Sequence, residues 1–210
     1  MIKVLIVDDH PVVRKGLIQM LSDEPYVEKA AEAKTAAESL DMVGKEEWDA
    51  VVLDITLPDR SGLEVLKDIK AMRPDLPVLI LSMHPEDQYA MRMLKAGAAG
   101  YINKDSASEE LVKAVNKVVA GGKYISPSMA EKLAAVVGGD YERPQHEKLS
   151  DREFQVLCMI ASGKRQKEIA EELCLSAKTV STYRTRVLEK MGMESNAELT
   201  YYAVKNGLIE

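Results

Sequence analysis

Reactive side chains recur at one kind of position in the first half of this 210-residue chain, just after short apolar runs. Asp8 and Asp9 follow the first run, Asp54 and Ser82 follow two others, and Lys104 lies shortly after a fourth. Parallel strands of an open α/β sheet bring the groups beyond their carboxyl ends into one crevice. If the runs are such strands, these side chains converge on a single site.

Three carboxylates in one crevice need a counter-charge, because two carboxylates about 4 Å apart repel by about 4 kcal/mol at the effective dielectric typical of a protein surface. A divalent cation supplies that charge, and Mg²⁺ suits a site that combines one or two carboxylates with phosphate oxygens. A carboxylate beside Mg²⁺, an ammonium group and a hydroxyl is an acceptor for phosphoryl transfer. The residues therefore predict that Asp54 forms an acyl phosphate.

From Lys3 to Ala120, short apolar runs alternate with amphipathic stretches of helical period, which is typical of a parallel sheet covered on both faces. The pattern predicts a doubly wound (βα)5 domain of the α/β class. Its strands are predicted at Val4–Val7, Val27–Ala31, Ala50–Leu53, Val78–Leu81 and Gly100–Ile102. Its helices are predicted at Val12–Leu21, Ala36–Val43, Leu63–Met72, Gln88–Lys95 and Glu109–Val119.

The last third of the chain has a different pattern. A short helical pattern follows Pro127, and residues 138–146 are polar with Gly and Pro, which indicates a linker. No strand pattern remains beyond it, and four helices are predicted at Asp151–Ala161, Gln166–Leu173, Ala177–Met191 and Ala197–Lys205. We therefore predict a sheet domain at residues 1–122, a linker with a short helix at 123–146 and a small all-α domain at 147–210.

The net charge of −6 argues superficially against a nucleic-acid partner, but the acidity is confined to one part of the chain. Residues 1–122 carry 15 Lys and Arg against 21 Asp and Glu, whereas residues 147–210 carry ten of each kind. Within the second segment, the third helix carries Lys178, Arg184, Arg186 and Lys190 against Glu189 alone. A locally basic helix is what a DNA-facing element requires.

The same helix carries small hydroxyl side chains between its basic ones, at Ser181, Thr182 and Thr185 among others. Short side chains approach base edges in the major groove, while Lys and Arg reach phosphates. This pattern predicts the recognition helix of a helix-turn-helix. Charge alone is equally compatible with a surface helix in a plain helical bundle.

Composition disfavours several other classes of protein. No apolar stretch approaches the roughly 18 residues that span a bilayer. Asp8 and Asp9 follow the first apolar run at once, which a signal peptide does not tolerate. These features predict a cytoplasmic protein with no membrane partner. Cys158 and Cys174 lie in apolar helical patterns and are predicted to be buried thiols rather than a disulfide or metal pair.

The sheet domain resembles the receiver domain of response regulators across residues 1–122. The residues that carry the resemblance are Asp8-Asp9, Asp54-Ile-Thr-Leu-Pro58 with Gly62, Ser82 and Tyr101-Ile-Asn-Lys104. It implies that a partner sensor histidine kinase phosphorylates Asp54. It further implies that Asp9, Asp54 and the Thr56 main-chain carbonyl bind Mg²⁺, with Asp8 assisting through water.

The resemblance also assigns roles around the phosphoryl group. Lys104 would pair with the acyl phosphate. Ser82 and Tyr101 would form a switch pair, in which the hydroxyl shifts toward the phosphate and the ring turns inward into the space that it leaves.

Residues 147–208 resemble the LuxR-type helix-turn-helix domain, so the whole chain is similar to NarL/FixJ-family response regulators. The similarity implies a transcription factor rather than an enzyme, which binds double-stranded DNA, forms a homodimer when phosphorylated and acts with RNA polymerase. The last helix, with Leu199 and Tyr202, is the predicted dimer contact on DNA. The residues predicted to contact DNA are Lys178, Thr179, Ser181, Thr182, Tyr183, Arg184, Thr185 and Arg186.

Two functions of other classes compete with this one. A Mg²⁺-dependent phosphatase that turns over an aspartyl phosphate would share the fold and the carboxylates, but the chain has no insertion for a substrate pocket and its candidate nucleophile follows strand three. A receiver joined to a protein-binding helical bundle would act without DNA. Turnover of small phosphomonoesters would support the first alternative, and failure to bind duplex DNA at low salt would support the second.

Overall fold

The computed structural model describes residues 1–83, 86–138, 144–173 and 175–209. The chain divides into two compact units, Met1–Leu133 and Ala134–Glu210. The division lies some residues beyond the end of the predicted sheet domain, so the domain boundaries at residues 122 and 147 stay a prediction. None of the described helices is both long and apolar enough to cross a lipid bilayer.

The first unit contains a five-stranded parallel sheet, which confirms the (βα)5 prediction. Its strands are β1 (Ile2–Val7), β2 (Val27–Ala33), β3 (Ala50–Asp54), β4 (Val78–Ser82) and β5 (Gly100–Asn103), in the spatial order β2-β1-β3-β4-β5. Every residue of β3 and β4 is buried. Strands covered on both faces are apolar throughout rather than alternating, which is why short continuous runs identified them in the sequence.

Five helices accompany these strands: α1 (Pro11–Ser22), α2 (Ala36–Lys45), α3 (Gly62–Met72), α4 (Glu86–Lys95) and α5 (Ala107–Val119). A 3-10 turn, Lys104–Ser106, lies between β5 and α5, and α6 (Pro127–Gly138) follows. The predicted ends of some elements were wrong. β2 extends to Ala33 rather than Ala31, α4 begins at Glu86 rather than Gln88, and α5 begins at Ala107 rather than Glu109.

The strand order places the candidate site. The chain passes from β1 through α1 to β2 on one side, and later enters β3 on the other side of β1. The crevice that opens at such a reversal, beyond the carboxyl ends of the two central strands, is where doubly wound sheets bind ligands. Asp8 and Asp9 follow β1, and Asp54 ends β3, so all three carboxylates lie at this crevice.

A close backbone approach holds the loop that follows Asp54. Gly62, the first residue of α3, donates its N–H to the Ile55 carbonyl at 2.7 Å. A Cβ atom on Gly62 would lie 2.3 Å from the Asp54 carbonyl oxygen and 2.7 Å from the Ile55 Cα, closer than Cβ atoms approach. Only glycine therefore allows α3 to begin against the strand that carries Asp54.

The second unit is helical. It contains a 3-10 turn at Gln145–Lys148 and helices α7 (Asp151–Ala161), α8 (Gln166–Glu172), α9 (Ala177–Met191) and α10 (Asn196–Lys205). The four predicted helices are confirmed. The end of α8 and the start of α10 each differ from the prediction by one residue. Residues 139–143 of the predicted linker lie outside the described residues, and its last two residues belong to the 3-10 turn.

Local capping sets where the helices of the second unit begin. The side chains of Ser150, Ser176 and Ser195 accept N–H groups in the first turns of α7, α9 and α10. Such caps satisfy donors that have no partner within the helix. α9 ends at Met191 and is followed by Gly192, whose φ of 63° is left-handed and suits glycine.

Candidate functional site

The structure gathers four side chains beyond the ends of β1 and β3. One ligand atom from each of Asp8, Asp9, His10 and Asp54 lies within 4.8 Å of all the others. Asp8 is 0% exposed and Asp54 is 3% exposed, whereas the Asp9 side chain is 35% exposed. The site is therefore an acidic pocket that is closed at its base and open at Asp9.

Lys104 lies against the base of this pocket. Its ammonium nitrogen is 2.6 Å from Asp54 Oδ2 and 2.6 Å from Asp8 Oδ2. The contact with Asp54 is a hydrogen bond, and the contact with Asp8 Oδ2 is an ion pair. The 3-10 turn that begins at Lys104, directly after β5, places this ammonium group at the carboxyl ends of the strands.

Burial and charge shift the two partners of the central ion pair. Burial raises the pKa of Asp54 above its ordinary value, and the Lys104 hydrogen bond and charge and the Thr56 N–H offset this shift only in part. Burial by itself would lower the pKa of Lys104, but the hydrogen bond to Asp54 and the charges of Asp54 and Asp8 raise it above the ordinary value. Lys104 is thus a firmly protonated cation, while the charge on Asp54 is costly.

The pocket fits a hard cation. Two oxygens with almost no access to solvent, Asp8 Oδ2 and Asp9 Oδ1, have no hydrogen bond, although each lies 2.6 Å from a nitrogen, that of Lys104 and Nδ1 of His10 respectively. Unsatisfied carboxylate oxygens in a partly open pocket are ligands for an oxygen-preferring metal ion. The residues can therefore hold a metal ion.

The other predicted members of the site lie around this pocket. The Thr56 N–H donates to Asp54 Oδ1 at 3.1 Å, and the metal-binding role of its carbonyl stays a prediction. Ser82 ends β4 next to Leu81, which is the register partner of Asp54, and is 1% exposed. Tyr101 on β5 is 3% exposed, so its ring is buried in this structure, while the switch role itself stays a prediction.

Two side chains of the pocket were not predicted from the sequence. His10 donates its main-chain N–H to Asp8 Oδ1 at 2.7 Å, and its ring nitrogen Nδ1 lies 2.6 Å from Asp9 Oδ1. Arg14 is 8% exposed and donates Nη1 to the Asp8 carbonyl at 2.7 Å. A signal for Arg14 was present in the sequence, because it lies one helical turn before Leu17 on the apolar stripe of α1, where a charge is unusual.

In the second unit, α9 presents the predicted DNA contacts on its outer face. Val180, Val187 and Met191 are buried in the core of the unit. The remaining predicted residues are exposed or half-buried: Lys178, Ser181, Thr182, Thr185 and Arg186 are exposed, and Thr179, Tyr183 and Arg184 are half-buried. The helix thus has a core face and a polar face, as a recognition helix requires.

Internal hydrogen bonds constrain several of these side chains. The hydroxyl of Thr182 donates to the Lys178 carbonyl at 3.1 Å, and that of Thr185 donates to the Ser181 carbonyl at 3.1 Å. Each hydroxyl therefore offers a ligand its acceptor lone pairs, next to an exposed methyl group. In addition, Arg184 Nε donates to Asn196 Oδ1 on α10 at 2.6 Å.

Lys190 was predicted to belong to the basic face of α9, and Leu199 and Tyr202 to the dimer contact. Their contacts in the structure bear on both predictions. Lys190 lies 2.6 Å from Glu153 Oε2 on α7, so it supports the fold rather than extending the basic face. Leu199 is 0% exposed, and the Tyr202 hydroxyl accepts the His146 N–H at 3.3 Å. Leu199 therefore packs within its own unit and is not available as a dimer contact, whereas the predicted role of Tyr202 and of the last helix stays a prediction.

Comparisons with known proteins match both units. A family model described as the response regulator receiver domain matches residues 4–116, and one described as bacterial regulatory proteins, luxR family, matches residues 147–203. The response regulator GacA of Pseudomonas aeruginosa is 38% identical over 214 residues, which cover 100% of this chain and 99% of GacA.

Solved structures agree with these matches. RcsB from Salmonella enterica serovar Typhimurium, bound to the rprA promoter in the presence of the phosphomimetic BeF3⁻, is 25% identical with a TM-score of 0.66 over 96% of this chain and 97% of that one. A structure of two RcsB dimers bound to two parallel DNAs is 26% identical, with a TM-score of 0.60 over 97% and 98% of the two chains.

The raised pKa of Asp54 predicts that Asp54→Asn stabilises the first unit at pH 7 when no divalent cation is present. A raised folded-state pKa contributes stability below the ordinary value of 3.8 and loses it as the pH rises through the folded value. The neutral variant should therefore exceed the wild type in unfolding free energy at pH 7, by a margin that shrinks toward pH 4. Urea unfolding followed by fluorescence of Trp48, the single tryptophan, measures this unit.

Asp41→Asn is the matched control, because Asp41 is a 58% exposed side chain on α2. Asp41→Asn should change the unfolding free energy at pH 7 only slightly, because exposed ion pairs contribute little to stability. An Asp54→Asn variant that is less stable than wild type at pH 7 would contradict the pKa direction.

Proposed function

Since this chain belongs to the NarL/FixJ family of two-component response regulators, we propose that a sensor histidine kinase controls its DNA binding by phosphorylating Asp54. One observation carries the proposal: the carboxylate that ends β3 is hydrogen-bonded to a buried ammonium within a pocket of two further carboxylates. Such a site neutralises a transferring phosphoryl group and offers it one nucleophilic oxygen.

In the proposed reaction an oxygen of Asp54 forms a bond to phosphorus as the bond between phosphorus and the donor breaks. Mg²⁺, held by Asp9, Asp54 and the Thr56 carbonyl with Asp8 behind them, would screen the phosphoryl oxygens. Lys104 lies 2.6 Å from Asp54 already, so it can pair with a phosphoryl oxygen without a large movement. The Thr56 N–H holds Asp54 Oδ1 and orients the carboxylate.

The signal is proposed to leave the site through Ser82 and Tyr101. Both side chains are buried beside the carboxyl ends of β4 and β5, so a hydroxyl drawn toward the phosphoryl group must leave space that a neighbour fills. Each arrangement of the Ser82 and Tyr101 side chains would favour one of two conformations of the surface of the first unit.

The proposed output is binding of double-stranded DNA through α9. Its outer face combines exposed Lys178 and Arg186 with the methyl groups and hydroxyl acceptors of Thr182 and Thr185. Basic side chains supply affinity that is independent of sequence, whereas short side chains at base edges supply discrimination. A helical bundle that binds only proteins would not require basic side chains and short polar side chains on the same face of one helix.

A homodimer is the proposed DNA-bound form when the chain is phosphorylated, and RNA polymerase is its expected partner in the cytoplasm. Tyr201 and Val204 on α10 are 71% and 54% exposed and share one face, being three residues apart. A second copy of the chain is the proposed occupant of this apolar pair, since RcsB dimers occur on DNA and paired half-sites match a two-fold protein.

The first test of the proposal is phosphorylation itself. With acetyl phosphate and Mg²⁺, intact mass spectrometry of the full chain should show one added phosphoryl group, and Asp54→Asn should abolish it. Asp41→Asn removes an equal charge from an exposed position and should be labelled like the wild type. Unchanged labelling of Asp54→Asn would contradict the assignment, and turnover of small phosphomonoesters would favour the phosphatase alternative.

The second test separates the two kinds of DNA contact. Arg186→Ala should weaken specific and scrambled duplexes alike and lower the salt slope of binding by about 1, because one phosphate contact is lost. Thr182→Ala should cost about 1 to 3 kcal/mol on the specific duplex and leave the salt slope unchanged. Lys113→Ala, which removes an exposed charge from α5, is the control. An Arg186→Ala variant that loses discrimination but keeps its salt slope would reverse these roles.

The third test concerns the dimer. Sedimentation of the phosphorylated chain on an operator duplex should show two copies bound, and replacing Tyr201 and Val204 together with Ser should weaken the binding of the second copy. Both residues are exposed, so the melting temperature should not fall. Equal cooperativity in the wild type and the double variant would exclude this face of α10.

A further inference from the structure

The guanidinium group of Arg14 is buried next to the acidic pocket, on the side of β2. Arg14 lies on α1 with the buried residues Leu17 and Leu21 and is 8% exposed. Burying a charge costs free energy unless the charge is paired and hydrogen-bonded. The hydrogen-bond partners of Arg14 therefore indicate the structural role of this buried charge.

Those partners tie the loop after β1 to the end of β2. Arg14 Nε donates to Glu32 Oε2 at 2.8 Å, and Nη1 donates to the Asp8 main-chain carbonyl at 2.7 Å. The Asp8 N–H donates to the Ala33 carbonyl at 3.2 Å. Both polar groups of the Asp8 backbone are thus held by β2, one directly and one through Arg14.

The bond to the Asp8 carbonyl acts on both carboxylates of the loop. This carbonyl and the Asp9 N–H belong to one planar peptide group, so fixing the carbonyl fixes the plane from which both side chains project. Asp8 then points into the base of the pocket and Asp9 stands at its mouth. Without the donor, the buried carbonyl loses its partner and the peptide group is free to turn.

We propose that Arg14 is a positioning residue for the metal-binding pair Asp8 and Asp9, and that it acts through the peptide group between them. The proposal rests on the proposed function, because it concerns the same metal site. It differs from a purely structural ion pair in its consequence for metal affinity.

Charge and position have opposite effects on that affinity. Removing a cation from beside an acidic pocket strengthens the attraction of the pocket for Mg²⁺. Losing the orientation of two ligands weakens it, and removing a group that orients metal ligands typically costs about 10-fold or more in affinity. The direction of change therefore distinguishes the two roles.

Calorimetric titration of the full chain with Mg²⁺ provides the measurement. Arg14→Met should bind Mg²⁺ about 10-fold more weakly than wild type although it has lost a positive charge. With acetyl phosphate, its Mg²⁺ requirement should rise by the same factor, while the labelling rate at saturating Mg²⁺ stays close to that of wild type. Arg14→Lys keeps the cation but lacks the fork that reaches both partners, and it should also bind Mg²⁺ more weakly.

Two controls isolate the carbonyl contact. Glu32→Gln removes the charge of the other partner, leaves the bond to the Asp8 carbonyl and should keep Mg²⁺ affinity within about threefold of wild type, a smaller change than loss of a ligand-orienting group. Arg73→Met breaks the exposed ion pair of Arg73 with Glu47 at the C-terminus of α3 and should leave Mg²⁺ affinity unchanged.

The outcomes separate the two proposals. If both Arg14 variants bind Mg²⁺ as tightly as the wild type, whatever their melting temperatures, the positioning role is excluded and the proposed function stands. If the wild type itself binds no Mg²⁺ and accepts no phosphoryl group, the proposed function fails, and the positioning role fails with it.

Discussion

One ammonium group stands between two buried carboxylates, and the first unit is built around that arrangement. Lys104 lies 2.6 Å from both Asp8 and Asp54, which are 0% and 3% exposed. Burial raises the pKa of Asp54, and the charge of Asp8 adds a smaller increase. The hydrogen bond and charge of Lys104 offset this shift only in part, so the pKa of Asp54 remains above its ordinary value. The negative charge of the unmodified site is therefore only partly compensated by Lys104, and a bound divalent cation would compensate it further.

The sequence was sufficient for the parts of this arrangement that depend on strand ends. Asp8, Asp54 and Lys104 are far apart in the chain, yet the convergence of parallel strands predicted that they meet. The start of α5 was predicted incorrectly because hydrophobic periodicity carries no information on caps. The Asn103 side chain accepts the Asp105 N–H and stabilises a 3-10 turn, and this turn is what brings Lys104 into the pocket.

Arg14 and Glu153 escaped prediction for a related reason. Both are charged residues on helical faces that pack inward. A prediction from hydrophobic periodicity places charged residues on the solvent-exposed face of a helix. Glu153 is 3% exposed because it serves two partners at once, the N-terminus of its own helix through Ser150 and the ammonium of Lys190 on α9. These two bonds hold the pKa of Glu153 below its ordinary value despite its burial, so α7 and α9 are joined by a charge that stays ionised.

The threonines of α9 have a thermodynamic consequence. The side chains of Thr182 and Thr185 are each held in one rotamer, because each is β-branched and its hydroxyl is hydrogen-bonded to the preceding helical turn. Ordering a long, rotamer-rich side chain at an interface costs about 0.5 to 1.5 kcal/mol, and two short threonines with fixed hydroxyls avoid most of that cost. Arg184 is similarly restrained by Asn196. These three side chains on the outer face of α9 are therefore held in place before any ligand is present.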